Sequence, residues 1–157
     1  RGINALYRDK DNSLLVSNKQ DGNLDLLDDM IHEIAHHVET LYPDVIYGNE
    51  SIANEFLRKR YELKFELQSE GYWVNEYDFD KIKYDKDFDL FLYKRVGRNL
   101  IRIMTSGLFI RPYAAVSLRE YFATGFEAYY LGKQETLEKI SPMLFDKIEE
   151  LHNLNIN

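Results

Sequence analysis

The chain has 157 residues, 45% of them hydrophobic and 14% aromatic, which is enough for one globular domain with a real core and too apolar for a disordered polypeptide. Its net charge of −7 argues against nucleic acid as a partner, because neutralising phosphates requires Lys and Arg in excess on one face. No apolar run approaches the ~20 residues that span a bilayer, and the lack of cysteine removes disulfides, a thiolate nucleophile and thiolate-held zinc together.

The chain opens at Arg1 rather than a methionine and carries no secretory signal pattern. It is therefore expected to be a processed or excised part of a larger parent, by which it is secreted or delivered; its compartment stays open. Ile3–Tyr7 and Leu14–Ser17 are short β-leaning runs around the turn-rich Arg8-Asp9-Lys10-Asp11-Asn12, a pattern that predicts a hairpin. From Leu24 to Tyr42 the residues Leu27, Met30, Ile31, Ile34, Val38 and Leu41 recur at helical spacing and predict a helix buried on that stripe. Asp25, Asp28 and Asp29 suit its first turn and Pro43 its end.

Within this helix lies His32-Glu33-Ile34-Ala35-His36. At 3.6 residues per turn, His32 and His36 stack on one face and can reach one metal ion. Glu33 falls on the adjacent strip, where it is placed to act as a general base toward a metal-activated water.

A loop through Pro43 and Gly48 follows. A second helix is predicted over Glu50–Ser69, with Ile52, Phe56, Leu63 and Leu67 on its buried side and Gly71 as its stop. Tyr72–Asp87 alternates aromatics with acids and reads as irregular loop or short strands. Phe88, Leu92, Val96, Leu100, Ile103 and Met104 predict a third helix over Asp87–Thr105, closing near Gly107. No internal repeat or linker-like stretch appears, so residues 1–157 are read as a single unit.

With cysteine absent, the third metal ligand has to be a further histidine or a carboxylate. His37 points about 100° round the helix from His36, and His152 lies near the polar C-terminal end; both read as ordinary surface or edge residues. In Ser117–Tyr129 the stripe Leu118, Phe122, Phe126 and Tyr129 leaves Glu120, Thr124 and Glu127 on a separate face. Glu120 and Glu127 are both eligible, and Ser117 with Glu120 also fits a capping box, in which the glutamate only satisfies a backbone N–H.

Tyr113 stands seven residues before Glu120, and Glu120-Tyr121-Phe122-Ala123 is followed after two residues by Phe126. This resembles the second signature of the anthrax lethal factor catalytic domain and the related Pro-Pro endopeptidases, a gluzincin group. The resemblance, carried also by His32-Glu33-x-x-His36 and the preceding Leu15-Val16-Ser17-Asn18, covers the start and the last third of the domain. It implies that Glu120 is the third zinc ligand and that Tyr113 hydrogen-bonds the oxyanion or bound water. The implied fold is α+β and zincin-like, mostly helical, with a small N-terminal sheet whose edge strand lines the cleft.

Two features depart from the group. Thr124 stands where a second acid is common, and the stretch from His36 to Glu120 is longer than these enzymes use, making about 50–105 an expected insertion. The expected function is that of a zinc-dependent endopeptidase acting on a protein or peptide substrate. The rival expectations are a zinc hydrolase of non-peptide substrates and a zinc-binding, non-catalytic interaction or structural module; Glu33 argues against the second, since an inactive module has no use for a base.

Overall fold

A computed structural model describes residues 5–8, 10–11, 13–16 and 23–154. Strands β1 (Ala5–Arg8) and β2 (Ser13–Val16) pair antiparallel, with Leu6 opposite Leu15 and Arg8 opposite Ser13. Across the turn, the Arg8 guanidinium is held by Asp11 and by the Ser13 hydroxyl. The outer ends of the expected hairpin, Ile3, Asn4, Ser17 and Asn18, lie outside the described residues.

The rest is helical. Helix α1 (Asn23–Leu41) carries both histidines and packs on β1 and on α6 (Leu118–Tyr130). Its buried side departs from the expected stripe: Leu27, Ile34 and Leu41 are 44%, 42% and 57% exposed, whereas Ala35 and His36 are buried. The face that meets α6 runs through Ile31, His32, Ala35 and His36, because α6 supplies the acceptors that satisfy the imidazoles there.

Pro43 ends α1 and also opens a short helix, α2 (Pro43–Tyr47), where a loop is predicted. Proline is well tolerated in a first turn, since its missing N–H has no acceptor there. Burial of Ile46 against α3 (Ser51–Ser69) secures the turn. Helix α3 matches its prediction: Ile52, Phe56, Leu63 and Leu67 are buried and the chain leaves it through Gly71, whose φ of 87° suits glycine.

Residues 72–85 form irregular chain, without strand, that drops Val74 and Phe79 into the core. The third predicted helix is present but broken: α4 (Lys86–Leu90), a π-helical segment over Phe91–Gly97, then α5 (Arg98–Thr105). The widened turns and the left-handed φ of 92° at Gly97 rotate α5 out of register. As a result Ile101 is buried at 4% while the expected core residue Ile103 is 68% exposed.

A 3₁₀ turn at Pro112–Ala115 leads to α6, which Ser117 caps by accepting the Glu120 N–H at 3.2 Å. Beyond it, α7 (Gln134–Ile140) and α8 (Pro142–Leu154), which the sequence reading leaves unassigned, close the core over α3 and α6. The buried apolar side chains form one continuous cluster that runs from Ala35 to Leu151. Residues 50–105, the stretch expected as an insertion, contribute many of its buried side chains, Phe56, Leu63, Phe88 and Ile101 among them. Among the described residues no helix is long and apolar enough to cross a membrane.

Three buried charged residues on α3 tie this core together. Glu55 accepts the Tyr121 hydroxyl at 2.7 Å and the backbone N–H groups of Met143 and Leu144 at 3.0 and 3.2 Å, capping α8. One turn later Lys59 donates to the carbonyls of Leu108 and Ile140 and to the Ser141 hydroxyl, at 2.7, 2.6 and 2.8 Å. Arg60 donates to the Val116 carbonyl at 3.0 Å and lies over the Phe88 ring. The start of α6, and with it Glu120, is therefore positioned by α3 from below.

Candidate metal centre

Helices α1 and α6 each bring one part of the site. His32 and His36 stand a turn apart on α1, their rings edge to face with centroids 4.9 Å apart. From α6, Glu120 reaches across: its Oε2 lies 2.9 Å from His32 Nε2 and its Oε1 3.5 Å from His36 Nε2. One ligand atom from each of the three lies within 4.8 Å of the others. Only the first half of the expected capping box forms, because the Glu120 carboxylate turns to the histidines while its N–H rests on Ser117.

The second eligible acid, Glu127, is two turns further along α6 and takes a different place. Its Oε2 meets His32 at Nδ1, 3.2 Å away, on the ring edge opposite Glu120. Arg111 joins it there, donating to Glu127 at 2.7 Å and approaching His32 Nδ1 at 3.2 Å. His36 is framed in the same way. Its Nδ1 faces Glu39 at 3.5 Å and the Arg119 Nε at 3.1 Å, and Glu39 in turn accepts from Arg119 and from the Tyr47 hydroxyl.

Burial and this ring of partners set the charges. Burial alone would lower the His32 pKa, but hydrogen bonds to Glu120 and Glu127 outweigh it and lift it to about 9. His36 is raised against the same opposition by Glu120 and Glu39. Burial would raise the Glu120 carboxyl, yet the two histidines hold it down at about 2. Glu39 is likewise held low by His36 and Tyr47 despite its burial. Tyr47 stays a neutral donor, since burial and the adjacent Glu39 charge push its ionisation far up.

The donor set fits zinc. Two imidazoles and a carboxylate leave a fourth position for water or substrate, as in catalytic His₂Glu centres. A carboxylate at the far nitrogen of each histidine is the usual outer support of such ligands. It comes from Glu127 and Glu39, whereas Thr124, where the resemblance led us to look for it, spends its hydroxyl on the carbonyls of Glu120 and Tyr121.

Glu33 follows His32 on α1 and is half-buried. Tyr113 is half-buried on the 3₁₀ turn that packs against α6, where it borders a cavity shared with Arg111. His37 and His152 stay outside the cluster, His152 hydrogen-bonding the Tyr130 hydroxyl at 3.1 Å. Sequence reasoning missed Glu39, Arg111, Arg119 and Tyr47. Glu39 was within reach of it, standing three residues after His36 on the same helix face; Arg111 has no local signal. Comparison with protein-family models, with curated proteins and with solved structures returned no match.

Proposed function

We propose that the protein is a zinc-dependent endopeptidase of zincin-like α+β fold, with the hairpin edge bordering the cleft and with His32, His36 and Glu120 as metal ligands. One observation carries the reading: the Nε2 edges of two histidines on one helix and a carboxylate from a helix far along the chain converge on one point, beside the glutamate that the His-Glu-x-x-His spacing provides. When bound, zinc supplies Lewis acidity that brings the pKa of a water down to about 7.

The chain's own residues do the rest. Glu127 accepts the Nδ1–H of His32, and Glu39 with Arg119 frames the Nδ1 edge of His36, which fixes both rings with Nε2 toward the metal position. Glu33 takes the proton of the attacking water and passes it to the leaving amine. Tyr113 donates to the carbonyl oxygen as negative charge develops there. The buried tie between α3 and the start of α6 holds Glu120 in place through the cycle.

The test is metal analysis of the purified protein alongside two variants and an unbiased peptide-library digest. The parent should hold one zinc and cleave peptides. Glu120→Ala should weaken zinc by about tenfold or more, because one of three protein ligands is lost. Glu33→Gln should keep zinc and lose about 100-fold or more in rate. A Glu33→Gln variant cleaving within a few-fold of the parent overturns the mechanism; zinc affinity unchanged in Glu120→Ala overturns the ligand set.

A further inference from the structure

A cavity of about 380 Å³ opens between α5 and the turn that precedes α6. Its floor is apolar, formed by Leu92, Ile101 and Val116, all buried, with Tyr113 alongside. Its walls are cationic: Arg98 and Arg102 stand one turn apart on α5, and Arg111 faces them from the turn. The one acid on the lining, Asp89, already accepts the Tyr84 hydroxyl at 2.6 Å.

In a chain with net charge −7, three guanidinium groups around one cavity form a local field of the opposite sign. Arg111 is committed to Glu127. Arg98 lies over the Tyr93 ring with its Cζ 4.5 Å from the centroid, and both Arg98 and Arg102 are exposed at the rim. Guanidinium is the group best shaped to bind a carboxylate with two parallel hydrogen bonds. The apolar floor suits the methylenes that carry such a carboxylate.

The cavity is joined to the candidate site through two residues. Arg111 belongs to its wall and meets His32 at the Nδ1 edge, on the side of the ring away from Glu120, and Tyr113, the proposed oxyanion donor, lines it as well. Successive peptide residues are only about 3.5 Å apart, so a peptide whose scissile carbonyl is held by Tyr113 would carry its neighbouring side chains past this cavity.

We propose that this cavity is a specificity pocket for an acidic side chain, Glu or Asp, of the peptide substrate, held by Arg98 and Arg102. The proposal rests on the endopeptidase reading for its substrate class, and binding is measured apart from cleavage so that the two can fail separately.

The probes are fluorescent, C-terminally amidated, alanine-based octapeptides in which a single Glu, or a single Gln, is walked along the sequence. Anisotropy is measured with zinc-loaded Glu33→Gln protein, which should not consume them. At one or two neighbouring registers the Glu peptide should bind about tenfold tighter than its Gln twin, and the gap should shrink at high salt. Adding Arg98→Ala with Arg102→Ala should erase the gap; Arg98→Lys with Arg102→Lys should retain part of it. Both arginines are exposed, so the fold should tolerate either pair, which a melting curve checks.

Equal binding of Glu and Gln peptides at every register overturns the pocket, as does a preference that survives the double alanine variant or one seen only with a free C-terminal carboxylate. Active protein that cleaves peptides without acid preference removes the pocket and leaves the endopeptidase. Arginine-dependent acid binding without any cleavage by the active protein keeps the pocket and removes the endopeptidase.

Discussion

His32 is gripped on both edges of its ring, by Glu120 at Nε2 and by Glu127 at Nδ1, and the two carboxylates have separable effects. Loss of Glu127 removes none of the three proposed ligands but frees the imidazole to turn and takes away the carboxylate to which Arg111 donates. Glu127→Ala should therefore weaken zinc by about 10- to 100-fold while still binding one ion, as measured by competition with a chelator. At Tyr113 the expectation is the reverse. Tyr113→Phe should leave zinc affinity unchanged and lower kcat by about 100-fold or more with little effect on KM, because its hydrogen bond strengthens only as charge builds on the carbonyl oxygen. Steady-state kinetics on any peptide from the library digest would check it, and an unchanged kcat would remove Tyr113 from the mechanism.

Among the elements, α6 bears the most. It carries Glu120 and Glu127 on one side and packs against α8 on the other, and Gly125 is where that packing is closest. A Cβ added at Gly125 would stand 2.3 Å from Leu144 Cδ2 and 2.8 Å from its Cγ, and Leu144 is fully buried, so its side chain would have to shift within the core. Alanine there gains about 1 kcal/mol in helix propensity but overpacks a filled core, at a cost of about 1–3 kcal/mol. Gly125→Ala should thus be destabilising on balance, read as a lower urea midpoint with unchanged slope. A variant as stable as the parent would mean that α8 can shift away from α6.

Across the whole molecule, polar groups sunk in the core act as well as apolar ones. Lys59 makes three hydrogen bonds to the segments around Leu108, Ile140 and Ser141, yet burial outweighs the help from Glu55 and brings its pKa down from 10.5 to about 8. Between those values the unfolded chain binds the proton and the folded one releases it, so Lys59 adds stability as pH rises from about 8 to about 10.5 and its charging cost is fully present below about 8. Lys59→Met should lose this contribution to the pH dependence. The measurement is the difference in melting temperature between parent and variant across that window; a constant difference would show that the three acceptors keep the ammonium charged throughout.

Forces that act within a turn or two leave marks that can be read along the chain. The His32–His36 spacing, the buried stripe of α3, the glycine stop at Gly71 and the Ser117 cap of α6 all follow from periodicity and from backbone groups seeking nearby partners. The long-range pairings were decided by the tertiary structure. Which carboxylate meets the Nε2 edges depends on how α6 lies on α1, between residues 88 apart in the chain, and a single helix face presents Glu120 and Glu127 alike. The same packing left Leu27, Ile34 and Leu41 outward on α1, and a π-helical stretch ending in Gly97 turned Ile103 out and Ile101 in on α5. Arg111 and Arg119 reach the histidines because the chain returns over them, and no pattern near either residue announces it. Local chemistry supplied the donor groups, and their convergence is a property of the packed core.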